Sequence, residues 1–143
     1  MKKILILFFI LFAFDSNAEN TVVSLLKEEG KIVFIRHSIA PGGGDPENFS
    51  LKDCSTQRNL SKKGIEQSKQ IREFFKKNKI IISKVLSSQW CRCKDTAFHA
   101  FGKYEEFFAL NSTFQLKFSG NSKKQAEALK NFVKNVKNVK LMD

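Results

Sequence analysis

Acidic side chains are scarce in this sequence. Asp and Glu number 14 against 25 Lys and Arg, a formal net charge of +11 in 143 residues. The balance favours anionic partners: phosphorylated molecules, nucleic acid or anionic lipid. No apolar run exceeds the 11 residues from Ile4 to Phe14, so no segment is long enough to span a bilayer as a helix. Cysteine is limited to Cys54, Cys91 and Cys93, so at most one internal bridge forms and one thiol remains. The spacing "CRC" lacks the second Cys or His pair that a tetrahedral site needs, and no metal is expected. Arginine is limited to Arg36, Arg58, Arg72 and Arg92. A forked, fixed donor in so Lys-rich a chain suggests bidentate recognition of phosphate. Arg72 reads as a helix-surface residue, while the other three sit beside turn signals. Repeats and linkers are absent. The length fits one domain, and 42% hydrophobic residues with 27% charged exclude global disorder.

What is present at the N-terminus is an address. "MKKILILFFILFAFDSNA" runs from two lysines through an apolar core to Ser16-Asn17-Ala18, the order of a secretory signal cleaved after Ala18. An uncleaved anchor is the alternative. Residues 1–18 are read as the signal peptide and 19–143 as the domain, secreted or periplasmic, with no stable membrane anchor after cleavage. Losing Lys2, Lys3 and Asp15 would leave +10. In an oxidising compartment the cysteines are free to pair.

Along the chain, "NTVVSLLKEEG" (20–30) has cap residues, an apolar face and a terminal Gly, and reads as a helix. "KIVFIR" (31–36) reads as a strand buried in a parallel sheet. Residues 38–60 contain Pro41, Gly42, Gly43, Gly44 and Pro46 and form a long loop, which in a compact domain is usually functional. Residues 61–78 read as a helix capped by Ser61, with Ile65, Ser68, Ile71, Phe74 and Phe75 on one face. "SKVLSS" (83–88) reads as a second buried strand, followed by a helix closed by Gly102. Residues 107–118 fit strand or loop. Residues 121–138 form an amphipathic helix, and "VKLM" (139–142) begins another strand. The alternation predicts an α/β fold, a parallel sheet flanked by helices.

In such a sheet, ligands sit beyond the carboxyl ends of the strands. Arg36 and His37 end one strand; Ser87, Ser88 and then Arg92 follow the other. Arg58 reaches the same edge from the loop. An imidazole ringed by guanidiniums suits a nucleophile attacking an anionic phosphoryl group. The glycines offer backbone N–H groups to its oxygens.

Three ordered segments within residues 31–102 resemble one family. "IVFIRHS" is similar to the Arg-His-Gly strand end of the histidine phosphatases, the phosphoglycerate-mutase-like superfamily (branch 1). "RNLSKKGIEQSKQIREFF" resembles their Leu-Ser/Thr-x-x-Gly-x-x-Gln-Ala helix, and "VLSSQWCRCKDTAF" their Ser-Ser-x-x-x-Arg-x-x-x-Thr element. The resemblance implies a phosphoglycerate-mutase-like fold with its last strands missing. It implies that His37 is the nucleophile that becomes phosphohistidine, and that Arg36 and Arg92 neutralise the phosphoryl oxygens. Arg58 takes the place of a further pocket arginine found in some members. Such chemistry needs in-line positioning and charge neutralisation. His37 must attack as neutral imidazole, its other nitrogen held by an acceptor. By the same resemblance Cys93, just after the pocket arginine, is expected to pack inward; Cys91, just before it, is expected to face the loop that carries Cys54 and to pair with it.

Departures from the family pattern are specific. Ser38 stands where the signature has Gly. No acid lies between Glu106 and Glu127 to serve as proton donor; Asp45, Glu47 or Asp53 could replace it, though each reads first as a solvated or capping residue. No second pocket His precedes Asp143. His99 is the other histidine, seven residues and about 10 Å along a helix from Arg92, and is expected to pack elsewhere. Trp90 reads as pocket wall or core. The expectation is an exported phosphatase transferring a phosphoryl group from a small phosphorylated substrate to water, without cofactor. The chain is expected to be incomplete at its C-terminus, inactive for want of the second His, and exposed at Ile32–Ile35 and Val85–Leu86. The alternative is a non-catalytic member that binds a phospho-ligand. Nucleic acid is not expected, because the 15 Phe occupy mostly apolar positions rather than interleaving with the basic residues.

Overall fold

A computed structural model describes residues 17–114 and 116–138. Its helices are α1 (Asn17–Lys27), α2 (Lys62–Lys77), α3 (Cys91–Phe101), α4 (Leu116–Ser119) and α5 (Ser122–Asn138). Two short strands, β1 (Leu86–Ser87) and β2 (Glu105–Glu106), pair in parallel, with Leu86 opposite Glu105 and Ser87 opposite Glu106. The architecture is mixed α/β. Most of the signal reading and the strand expected at 139–142 lie outside the described residues. Asn17 and Ala18 open α1, which begins three residues before the expected cap.

α2 starts where Ser61 caps it: the Ser61 hydroxyl accepts from the Gly64 N–H at 3.1 Å. Its buried residues are Gly64, Ser68 and Phe75, on the face that packs along α3. Phe75 meets Phe101 of α3 edge-on, ring centroids 5.2 Å apart. α3 ends at Gly102 in the left-handed region, φ 74°, with its N–H on the Phe98 carbonyl, as a helix C-terminal glycine should. Arg72 donates to that same carbonyl at 3.0 Å. A second cluster joins Phe49, Trp90 and Phe118.

Two strand expectations are corrected. Residues 31–36 form neither helix nor strand among the described residues, and they are not buried: Phe34 is 65% exposed. β1 finds its parallel partner in Glu105–Glu106 instead, a segment with no strand signature of its own. Among the described residues no strand is bonded alongside 32–35 to cover their apolar side chains. Leu26, Val33, Ile35, Ile71, Phe74 and Phe75 line a shallow apolar groove there. The second strand contracts from 83–88 to Leu86–Ser87, with Val85 and Leu86 half-buried. Residues 107–118 are neither strand nor plain loop: a 3-10 turn (Phe108–Leu110) precedes α4. Gln125 of α5 holds that turn by donating to the Phe108 and Asn111 carbonyls at 2.9 and 3.0 Å.

Among the described residues, side chains rather than a ladder fix the end of this segment. The Ser38 N–H donates to Thr96 Oγ1 at 3.0 Å, and the Ile39 N–H to Gln67 Oε1 at 3.0 Å. The Ser38 and Ser68 hydroxyls pair at 2.8 Å. The Ser61 N–H donates to the Ile39 carbonyl at 3.0 Å. Gly64 lies so close that a Cβ there would sit 2.1 Å from the Ile39 oxygen. Only glycine permits this approach of helix to backbone.

Candidate active site

A cavity of about 830 Å³ opens at the end of this segment, lined by Arg36, His37, Ser38, Gly42, Gly43, Gly44, Asp45, Arg58, Ser88, Trp90, Arg92 and Cys93. Leu110, Ser112 and Phe114 supply part of the rim. The four residues read from the sequence as the phosphate site, Arg36, His37, Arg58 and Arg92, therefore face one space. Their delivery differs from the expectation. Arg36 and His37 end a segment that is not a sheet strand among the described residues. Arg58 comes from the loop before α2, and Arg92 from the first turn of α3.

His37 is held for one role. Its Nδ1 lies 2.7 Å from the Ser38 carbonyl. A carbonyl accepts only, so this contact places the proton on Nδ1 and leaves a lone pair on Nε2 of the neutral ring. Burial lowers the His37 pKa below its ordinary value; the Ser38 carbonyl pulls it back in part, and Arg92, Arg58 and Arg36 each add a smaller downward push. The ring is thus kept neutral among cations.

The arginines have donors to spare. Arg92 is only 7% exposed, yet its Nε has no hydrogen-bond partner among the described residues, and neither has the buried Nε of Arg58. Buried donors normally find partners, so two such atoms on residues that line one cavity suit a ligand that supplies acceptors. Arg58 Nη1 is anchored by the Ala40 carbonyl. Burial and then the Arg92 charge lower the Arg58 pKa, with Asp45 offsetting in part. Gly42 and Gly44 adopt φ of 100° and 149°, so the loop turns where a side chain would be strained. The three guanidiniums, less the Asp45 carboxylate, leave two positive charges beside a neutral His37.

Asp45 is neither solvated nor capping. Its side chain is 5% exposed and ion-pairs with Arg92 at 2.8 Å. It also accepts from the Arg58 N–H at 2.9 Å and from Trp90 Nε1 at 3.0 Å. Hydrogen bonds from Arg58 and Arg92 outweigh burial and hold its carboxyl below the usual carboxylate range, so it is ionised and ill-suited to donate a proton. Glu47 is exposed. Asp53 caps the 3-10 turn Cys54–Thr56 by accepting from the Ser55 N–H. Trp90 is both core and pocket wall. Its indole donor, the buried Gln57 that accepts from the Cys91 N–H at 3.0 Å, and Thr96 were not singled out as site-builders in the sequence. An acid inside a Gly-Gly-Gly-Asp-Pro run, in an acid-poor chain, was the available signal for Asp45.

Cys54 and Cys91 form a disulfide with Cα atoms 5.6 Å apart, tying the loop to the start of α3. Cys93 is partly exposed and lines the cavity beside Ser88; burial raises its thiol pKa. His99 packs against Phe98 and does not line the cavity. No group of metal-ligating side chains occurs among the described residues, and no described helix is long and apolar enough to cross a membrane. No family model, curated protein or solved structure matches the chain.

Proposed function

We propose that the chain is an exported histidine phosphatase with a phosphoglycerate-mutase-like domain, transferring a phosphoryl group from a small phosphorylated molecule to His37 and then to water. One observation carries the reading: a neutral imidazole with Nδ1 tied to a backbone carbonyl stands in a cavity with three arginines, two of which hold buried Nε donors without a partner among the described residues. Two net positive charges complement a phosphoryl group carrying about 1.5–2 negative charges. In the step, Nε2 of His37 attacks phosphorus, the phosphorus–oxygen ester bond breaks, and the oxygen leaves with its electron pair. Water then displaces the imidazole, releasing phosphate. Arg36, Arg58 and Arg92 stabilise the equatorial oxygens throughout.

The second reading is a phospho-ligand-binding protein without turnover. It is favoured by the engagement of Asp45, which removes the cavity's nearest carboxyl from proton donation. The discriminating experiment combines orthovanadate titration with turnover of an aryl phosphate, using His37→Ala as background. Vanadate binding with turnover above that background supports the phosphatase. Binding alone supports the second reading, and absence of both removes the pair.

A further inference from the structure

We propose that Asp45 is a positioning residue that clamps Arg92, fixing which edge of its guanidinium meets the phosphoryl group. This rests on the phosphate-site reading above. Asp45 takes Arg92 Nη1 with both carboxylate oxygens, at 2.8 and 3.0 Å. The same Nη1 also faces the Arg58 carbonyl at 3.4 Å. That side of the guanidinium is committed to protein. Nε, on the other side, is buried without a hydrogen-bond partner among the described residues. A planar guanidinium held at Nη1 can turn little, so its Nε–Nη2 edge stays fixed as a two-pronged donor for oxyanions.

The clamp is itself clamped. Trp90 Nε1 holds Oδ2 and the Arg58 N–H holds Oδ1, and the carboxylate is almost wholly removed from water. Trp90 is fixed in turn by rings of Phe49 and Phe118. The Cys54–Cys91 bridge pins the same loop to the residue preceding Arg92. A carboxylate this fully engaged by fixed donors is not a latch that a ligand displaces, and it has no proton to give.

These roles predict opposite results. Calorimetric titration of the full chain with inorganic phosphate and with orthovanadate is to compare wild type, Asp45→Asn and Trp90→Phe. Asn keeps the shape but loses the charge that locks Nη1. The clamp predicts that Asp45→Asn weakens phosphate binding about tenfold or more, the scale of one charge-assisted hydrogen bond, although the variant adds net positive charge to the cavity. Trp90→Phe keeps an aromatic ring in the core but removes one anchor, and should weaken binding in the same direction by a smaller factor. It serves as the test if Asp45→Asn does not fold. Turnover gives a second arm. A clamp lowers kcat/KM by the same factor for aryl and alkyl phosphates, whereas a lost proton donor penalises the alkyl substrate far more. Unchanged or tighter phosphate binding in the folded variants, or a loss confined to alkyl substrates, overturns the clamp and leaves the site reading standing. No binding of either anion by wild type overturns the site reading and the clamp together.

Discussion

Ser38 is 3% exposed, while Phe34, four residues earlier in the same segment, is 65% exposed. The polar end is held by Thr96, Ser68, Gln67 and the close approach of Gly64. Among the described residues the apolar end belongs to no ladder and borders a shallow groove. Hydrophobicity therefore does not mark the better-determined half. Apolar burial is non-directional and needs a covering surface, whereas a network of hydrogen-bonded side chains specifies position atom by atom. Among the described residues the site is built on the second kind of support, side chains that fix the backbone beside His37.

This contrast predicts large effects on the tethered side and small ones on the exposed side. The largest belongs to the Cys54–Cys91 bridge, whose sequence separation is 37. Loop-closure entropy for that length is worth about 4 kcal/mol. Urea unfolding with and without reductant should show a loss of that order, together with weakened phosphate binding; a change in neither would separate the loop from the site. Gly64→Ala comes next. Helix propensity alone would favour Ala by about 1 kcal/mol, but the Ile39 carbonyl stands in the way. We expect a net destabilisation of about 3 kcal/mol, and a stabilised variant would refute the close packing.

A smaller effect concerns protonation. His37 should titrate below pH 6.5, because burial and three guanidiniums disfavour its charged form. As pH falls from neutral, the nucleophile therefore persists to lower pH than an ordinary imidazole would, and is lost only when pH passes below its depressed pKa. Bound phosphate, being anionic, should raise that midpoint. Proton NMR of the two histidines, assigned with His37→Ala, measures this directly; a midpoint at or above 6.5 in the free protein would contradict the charge arrangement. The smallest effect is expected at Phe34. Phe34→Ser should change stability by no more than about 0.5 kcal/mol, and a loss of several times that would mean the segment is covered in solution.

Local signals carried much of this into the sequence. The Ser61 cap, the periodicity of α2 and the Gly102 terminus sit close to where the structure has them, because capping and helical periodicity are written in neighbouring residues. The arginines and His37 were legible because a cation and an imidazole directly after an apolar run are costly unless they have a purpose. What pairs with what was not legible. "KIVFIR" has a strand's composition, yet a strand exists only through its partner, and β1 instead chose Glu105–Glu106. Asp45 looked like a loop acid because its partners, Trp90 and Arg92, lie 45 and 47 residues away. The tethers through Thr96 and Ser68 are likewise long-range, and a hydroxyl carries no mark of what it will bind.

The central claim is that Nε2 of His37 accepts a phosphoryl group. Incubation of the chain with an aryl phosphate, rapid quench at alkaline pH and peptide mapping should find one acid-labile, base-stable phosphoryl group on the peptide containing His37 and none in His37→Ala. Phosphoryl label on another residue, or a chain that binds orthovanadate yet never acquires label while substrate is consumed, would contradict it.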